Sequence, residues 1–290
     1  MLFRSRMGRF AWVAATAVGL TAIAVAWFSR PSMPTKVVFT GSKVRALTED
    51  GQLAWSYQLP YQIAEPLEET RAGLISDLNG DGRTEVIVRV RPDPPALGFR
   101  DLYCLTERGK LLWTYHPKTV LRFAGTSFDG PWDIRDMILV SEAKGRSVWV
   151  ATAHHPGWPG FVVSLDGKGI ERLRFVNTGQ LTSLLEITNK LGRFVLVAGV
   201  SNDFREAILA VIDPSSPASI APAGPRPAYR CDECLPDGPY RYYRFPRSEL
   251  NNLESPEPFN TAFRIVPQDT GFEVQVSEVV PRDGFRHGII

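Results

Sequence analysis

Residues 77–85 read DLNGDGRTE, and the β-branched run VIVRV follows them at once at residues 86–90. Oxygen-bearing side chains at alternate positions, a glycine that permits a tight backbone and a further carboxylate predict a loop folded around a hard cation. Ca2+ takes about six to eight oxygen ligands in such loops. The predicted ligands are the side chains of Asp77, Asn79, Asp81 and Glu85 and a backbone carbonyl near Arg83. We therefore predict one structural calcium site.

Two other structures compete for this loop. In an EF-hand the twelfth residue is a bidentate Glu between two helices, but the twelfth residue counted from Asp77 is Val88, inside the β-branched run. The EF-hand is therefore excluded, whereas a plain Gly/Asp/Asn turn between two strands needs no metal and stays open. A nine-residue loop that leads into a strand resembles the calcium loops of the FG-GAP/VCBS (integrin α-like) β-propeller repeat family. On that resemblance the four side chains above are calcium ligands.

The charge of the chain is distributed unevenly. The 290 residues carry +2 overall, but residues 1–36 hold five basic residues and no acid, which leaves 28 basic and 31 acidic residues in the rest. A net charge of −3 there gives no broad positive surface, and we therefore exclude nucleic acid as a partner. The 24 Gly and 23 Pro are spread along the chain and indicate many turns, as in an all-β fold.

The N-terminal segment predicts a membrane anchor. Residues 10–28 contain no charged side chain and, as a helix rising about 1.5 Å per residue, nearly match the ~30 Å hydrocarbon core. The arginines of residues 1–9 keep that segment in the cytoplasm by the positive-inside rule. A linker at residues 29–36 then leads to an extracytoplasmic domain, periplasmic or extracellular, at residues 37–290 of a single-pass membrane protein of bacterial type. A cleaved signal peptide, with small-x-small sites at residues 22–26, is the alternative.

Two stretches of the chain are repeats of one another. LTEDGQLAWSY at residues 47–57 returns as LTERGKLLWTY at residues 105–115, identical at seven of eleven positions, and a looser copy, VVSLDGKG, stands at residues 162–169. Each copy predicts a hairpin, because a polar Gly turn separates two runs with alternating apolar residues. GKLLW at residues 109–113 resembles the stretch that docks one blade on the next in PQQ-type propellers. That resemblance implies that Trp113 packs between blades and does not contact a ligand.

A second element recurs between these hairpins. Three Gly-Arg pairs each lead into an apolar strand, at residues 82–83, 145–146 and 192–193. The polar stretches before the second and third pairs, residues 141–144 and 186–190, each contain a single acid, Glu142 and Glu186, and we interpret them as degenerate copies of the metal loop. One hairpin and one such element make four strands in roughly 45–60 residues, the size of a propeller blade. We predict an all-β fold: a β-propeller of about five four-stranded blades, with four or six also possible, preceded by one transmembrane helix and closed by the strand at residues 36–40.

The last third of the chain is less regular. Residues 213–230 form a Pro-rich loop that is too long for a tight turn, and Ser248 is predicted to start a short helical turn. Cys231 and Cys234 make a single CxxC without the second pair that a zinc site needs. In an oxidising compartment a local disulfide is favoured over free thiols, which stay open. Cys104 alternates within a strand and is predicted to be a small core residue.

The sequence contains no familiar catalytic motif: no Gly-x-Ser-x-Gly elbow, phosphate loop, HExxH or dinucleotide fingerprint. His154 and His155 are adjacent, so on a strand they would point apart and would not share a metal. Trp132 and Trp158 lie in predicted loops, where aromatic side chains could hold a sugar or peptide. We predict a function in protein or ligand binding or scaffolding, with an envelope protein or a carbohydrate as partner. Two alternatives stay open: a propeller enzyme that acts on an extracellular polymer or with a quinone cofactor, and a sensing or assembly subunit of an envelope complex.

Overall fold

The structure, a computed structural model, describes most of the chain after the N-terminal segment. The described residues are 33–64, 72–93, 101–142, 145–154, 158–233, 237–254, 258–280 and 286–289. The predicted cytoplasmic segment and anchor, residues 1–28, and the first part of the linker lie outside them. Within the described ranges no helix is both long enough and apolar enough to cross a membrane.

The described part is almost entirely β-structure. The first nine strands are β1 (Lys36–Thr40), β2 (Lys43–Leu47), β3 (Leu53–Gln58), β4 (Gln62–Ile63), β5 (Gly73–Ser76), β6 (Glu85–Val90), β7 (Pro92–Asp93), β8 (Asp101–Leu105) and β9 (Leu111–Tyr115). The next ten are β10 (Leu121–Phe123), β11 (Thr126–Phe128), β12 (Trp132–Glu142), β13 (Gly145–His154), β14 (Gly160–Leu165), β15 (Glu171–Asn177), β16 (Leu181–Asn189), β17 (Gly192–Ser201), β18 (Glu206–Ile212) and β19 (Ser219–Ile220). The last elements are a 3-10 turn (Pro227–Tyr229), β20 (Arg241–Phe245), helix α1 (Glu249–Glu254), β21 (Asn260–Gln268), β22 (Gly271–Val280) and β23 (Arg286–Ile289).

Five sheets of three or more strands follow one another along the chain. They are sheet I (β1-β2-β3), sheet II (β5-β6-β8-β9), sheet III (β12-β13-β14-β15-β19), sheet IV (β16-β17-β18-β20) and sheet V (β21-β22-β23), beside the two-stranded pairs β4–β7 and β10–β11. The strands of each sheet run mostly antiparallel as a meander, and β19 alone among the described strands joins in parallel, at the edge of sheet III. The predicted all-β fold is confirmed.

The five sheets stack face to face in chain order. On β6 the side chains of Val86 and Val88 pack against sheet I, whereas Ile87 between them packs against sheet III. Because sheet II is covered on both faces, all six residues of β6 are buried, which explains why β-branched residues occupy both faces of the strand. Two further apolar layers join sheet III to sheet IV and sheet IV to sheet V. This succession of stacked antiparallel sheets is propeller-like.

Tryptophan side chains pack sheet I against sheet II and sheet II against sheet III. Trp55 of sheet I lies on the turn at Gly109, where a Cβ would come 2.7 Å from the indole Cδ2. Trp113 of sheet II lies in the same way on Gly169 of sheet III, and its Nε1 donates to the carbonyl of Gly167 at 3.1 Å. Both receiving positions require glycine, because an added side chain would collide with the ring. The prediction that Trp113 packs between neighbouring units is confirmed.

Side chains on the first strand of a sheet also link sheets III, IV and V to one another. The backbone N–H of Leu184 on β16 donates to Asp136 Oδ2 on β12 at 2.8 Å. One sheet further on, the Thr182 hydroxyl donates to the carbonyl of Ala262 on β21 at 2.6 Å. The described sheets are therefore bound to one another by polar contacts as well as by apolar burial.

The prediction that residues 36–40 close the last blade is wrong. This strand, β1, pairs with β2 from Lys36↔Leu47 to Thr40↔Lys43, and the described part of sheet V contains only β21, β22 and β23. The two residues between Thr40 and Lys43 include Gly41 at φ +59°, which suits a tight hairpin. Local pairing across that turn therefore takes the place of a long-range closure.

The last third matches several predictions. The predicted Pro-rich loop, residues 213–230, contains the short strand β19 and the 3-10 turn, and it is anchored because Asp203 accepts backbone N–H groups from Gly224 and Arg226 at 2.6 and 2.7 Å. Helix α1 begins after Ser248, whose hydroxyl accepts the N–H of Asn251 at 3.2 Å, as predicted for an N-cap.

Cys104 is buried and free, as expected of a core residue, and Cys231 is disulfide-bonded. Cys234 lies outside the described residues.

Candidate functional site

The acidic loop connects β5 to β6 at one end of sheet II. Ser76, the last residue of β5, pairs with Glu85, the first residue of β6, so residues 77–84 form the connection. Asp77 organises its first half: Oδ1 accepts the N–H of Gly80 at 2.7 Å, and Oδ2 accepts the N–H of Gly82 at 2.9 Å. Both glycines have positive φ, +76° and +81°, a conformation that glycine adopts without steric cost.

Asn79 and Asp81 shape the second half of the loop. The side-chain oxygen of Asn79 accepts the N–H of Asp81 at 2.9 Å, and Asp81 Oδ1 accepts the N–H of Arg83 at 2.8 Å. The Asn79 amide nitrogen lies between two carboxylates, 3.4 Å from Asp81 Oδ2 and 3.3 Å from Glu85 Oε1. A hydrogen-bond donor therefore stands where the acidic side chains converge.

Glu85 closes the loop from inside the protein. Glu85 is only 4% exposed, and its Oε2 accepts the N–H of Leu78 at 2.8 Å. Burial raises the pKa of Glu85, the hydrogen bond from Leu78 lowers it, and the charges of Asp81 and Asp77 raise it further. The net direction is upward, because burial disfavours the charged form of this carboxylate more than the hydrogen bond from Leu78 favours it.

The loop brings together four of the five predicted ligand residues by their side chains. The amide of Asn79 contacts both Asp81 and Glu85, Asp77 accepts backbone N–H groups of the same loop, and Arg83 donates its backbone N–H to Asp81. Carboxylate and amide oxygens of this kind fit the donor preference of Ca2+. In the structure these oxygens are engaged by the loop's own N–H groups, and the described ranges hold no group of three or more His, Cys, Asp and Glu arranged around a metal position.

The interpretation of residues 141–144 and 186–190 as degenerate copies of this loop is wrong. Glu142 pairs with Gly145, and Asn189 pairs with Gly192, so two residues separate the strands in each case. Gly145 and Gly192 have positive φ, +126° and +135°, at the hairpin exits. A connection of two residues is too short to hold the ligand set.

The acidic loop rests on sheet III. A Cβ at Gly167 would lie 3.0 Å from the Cβ of Asn79, and a Cβ at Gly145 would lie 3.6 Å from the carbonyl oxygen of Leu78. The guanidinium of Arg146 reaches back from sheet III and donates to the hydroxyl of Ser76 at 2.9 Å. The loop is therefore part of the joint between sheets II and III.

A groove of about 860 Å³ opens beside this joint, across the hairpin ends of sheets III and IV. It was not predicted from the sequence. Its charged lining residues are Arg146, Lys168, Arg172, Arg174, Arg193, Glu142, Asp166 and Asp213. The recurrence of arginine after the hairpin glycines 145 and 192 was the signal available in the sequence, and it served there only to mark a repeat.

The other sequence candidates belong to the core. Trp132 is fully buried and starts β12, so the prediction that it lies in a ligand-binding loop is wrong. Its ring packs 5.1 Å from that of His154, whose Nε2 lies 3.1 Å from the carbonyl oxygen of Gly130. Trp158 packs at 4.4 Å against Phe128. His155 lies outside the described residues.

Comparison with known proteins identifies no family for this chain. No family model matches the sequence, and no curated protein matches it. Among solved structures, the Dos1 propeller aligns with a TM-score of 0.38 at 11% identity, over 83% of this chain and 49% of that one. This chain thus spans about half the length of that structure. A protein of unknown function from Bacteroides caccae aligns with a TM-score of 0.30 at 14% identity, over 87% and 85% of the two chains. Both scores are below 0.5, and the propeller-like description rests on the stacked sheets themselves.

Proposed function

We propose that this chain is a membrane-tethered, extracytoplasmic binding or scaffolding protein of the FG-GAP/VCBS type, with one structural calcium loop. The observation that supports it is the position of the acidic loop at a joint between two stacked sheets. A metal there would strengthen the scaffold and would need no open coordination position for chemistry. The uncharged run at residues 10–28 supports the tether.

The calcium ligands in this proposal are those of the loop. The ion is held by Asp77, Asn79, Asp81, the carbonyl of Arg83 and Glu85. Bound calcium supplies positive charge to a loop that concentrates three carboxylates, one of them buried with a raised pKa. An ordered loop would also stabilise sheet III, because Leu78 and Asn79 lie in contact with turns of that sheet.

An enzymatic role receives less support. Such an enzyme needs acids, His and Arg to converge between the innermost strands. The groove of about 480 Å³ bordered by β1, β5 and β12 is lined instead by mostly apolar residues. Its described lining residues are Thr35, Lys36, Val37, Phe39, Ala72, Gly73, Leu74, Ile75 and Leu139.

Thermal unfolding of the full-length chain, extracted from membranes in an uncharged detergent and stripped of metal, tests the proposal. Added calcium is expected to raise the unfolding midpoint by several degrees, because a ligand at about 100 times its Kd stabilises by about 2.7 kcal/mol. Asp81→Ala removes a ligand and is expected to abolish that shift.

Asp50→Ala is the matched control, since Asp50 accepts a hydrogen bond from Thr48 in the turn of sheet I and belongs to no acidic loop. It should leave the calcium response intact. A wild-type chain that unfolds at the same temperature with and without calcium would contradict the metal site. Recovery of the chain in the soluble fraction before detergent is added would contradict the tether.

A further inference from the structure

The groove across the hairpin ends of sheets III and IV is rich in arginine. Five basic and three acidic side chains line it, together with the hydroxyls of Ser141, Ser147, Ser164 and Ser215. Its volume of about 860 Å³ is within the usual range of small-molecule sites. The arginines are free to bind an anion only where these acids do not already neutralise them.

Two of the arginines are held by protein partners. Arg174, whose side chain is 11% exposed, pairs with Glu142 at 2.9 Å and donates to the hydroxyl of Ser164 at 2.8 Å. Arg193 pairs with Glu186 at 3.2 Å. These contacts fix two guanidinium groups in place at the wall of the groove and account for the charge of both glutamates.

Glu142 is already engaged by one cation and two neutral donors. Its Oε1 accepts hydrogen bonds from Arg174, from the hydroxyl of Ser147 at 2.7 Å and from the indole N–H of Trp149 at 3.2 Å. Asp166 is likewise used inside its own turn, where Oδ1 accepts the N–H groups of Lys168 and Ile170 at 2.9 and 3.0 Å. The third acid, Asp213, is engaged in the same way, because its Oδ1 accepts the N–H and the hydroxyl of Ser215 at 2.8 and 2.7 Å.

Two other arginines lack a carboxylate partner among the described residues. Arg146 donates one N–H to the hydroxyl of Ser76, and Arg172 makes no ion pair with a described residue. Burial lowers the pKa of Arg174, Glu142 opposes this, and the charge of Arg172 lowers the pKa again. Arg172 and Arg174 lie two residues apart on β15, and their positive charges repel each other.

We propose that this groove binds a small oligoanion through Arg146 and Arg172, with Arg174 and the hydroxyls of Ser141 and Ser164 as further contacts. The ligand class is a molecule that carries two or more phosphate or carboxylate groups. The planar guanidinium matches both oxyanions with paired N–H donors, and an anion between Arg172 and Arg174 would relieve their repulsion. Comparing the affinities of a phosphate probe and a carboxylate probe shows which of the two groups the site prefers.

Isothermal titration calorimetry on the full-length chain in metal-free buffer tests this inference. The probes are tripolyphosphate as the phosphate source and tri-galacturonate as the carboxylate source. At least one is expected to bind the wild type. The double variant Arg146→Gln/Arg172→Gln is expected to weaken that binding at least tenfold, which corresponds to about 1.4 kcal/mol.

The control carries the same loss of charge elsewhere. Arg108→Gln/Arg264→Gln removes two exposed arginines outside the groove and should keep the wild-type affinity. Arg172→Lys keeps the charge without the paired donors, and its affinity should lie between that of the wild type and that of Arg146→Gln/Arg172→Gln. Thermal unfolding verifies that each variant is folded. Failure of both probes to bind the wild type, or equal loss of affinity in the control double variant, would overturn the proposal.

Discussion

The first turns of sheets II and IV occupy equivalent positions and differ in length and chemistry. Residues 77–84 connect Ser76 to Glu85 in sheet II, with three carboxylates in and around the loop, whereas two residues connect Asn189 to Gly192 in sheet IV. Both connections lead into a strand through a glycine with positive φ followed by arginine. Two residues suffice to reverse the chain here, so the acidic loop of sheet II serves a purpose beyond turning.

Asp77→Ala is expected to give the largest effect in a comparison of these turns. The carboxylate of Asp77 accepts two backbone N–H groups, from Gly80 and Gly82, and hydrogen bonds to charged groups contribute about 1.5–3 kcal/mol each when buried. Because the loop is partly exposed, we expect the free energy of unfolding without calcium to fall by about 2 kcal/mol, measured by urea denaturation.

Asn189→Ala is the matched variant in the turn of sheet IV. Asn189 accepts only one N–H, from Leu191 at 2.8 Å, and a neutral hydrogen bond contributes about 0.5–1.5 kcal/mol. Its loss should therefore be smaller, and it should be the same with and without calcium. Equal losses in the two variants would show that the acidic loop is an ordinary turn.

Glu85→Gln separates the charge of the loop from its shape. Because the pKa of Glu85 in the folded protein is raised, chiefly by burial, the folded state binds this proton more tightly than the unfolded state does. In metal-free buffer the wild type should therefore gain stability, relative to Glu85→Gln, as the pH falls from neutral through the folded pKa toward the ordinary value of 4.5.

At neutral pH the Gln variant should be slightly more stable than the wild type without calcium and less stable with it. Urea denaturation at several pH values, with and without calcium, measures both differences. A constant difference between the two proteins across the pH range would contradict the raised pKa.

Local patterns allowed much of the fold to be predicted. The repeated hairpins form β2–β3 and β8–β9, and Trp113 docks on the next sheet, because alternation and turn glycines are properties of neighbouring residues. The length of a turn was harder to predict: Glu142 and Asn189 look like loop residues beside a Gly-Arg pair, yet they belong to strands. Polar composition alone does not show where pairing stops.

The groove could not be predicted for a different reason. Arg146, Arg172 and Arg193 come from three strands in two sheets, and what places them together is the stacking of those sheets. Each arginine by itself reads as an ordinary exposed residue. The same limit applies to β1, since the sequence shows an apolar strand but not which of two sheet edges it will join.

Gly82→Ala gives a small expected effect and the narrowest test of the comparison. Gly82 has φ +81°, and an added Cβ would meet nothing within 4 Å, so the cost is backbone strain alone, about 1 kcal/mol. Gly192 has φ +135°, outside the left-handed helical region, so Gly192→Ala should cost more by the same urea measurement. Calcium should restore part of the loss in Gly82→Ala, because ligand binding selects the ordered loop, and none of the loss in Gly192→Ala. If calcium restores both variants equally or neither, the metal does not act through the loop of sheet II.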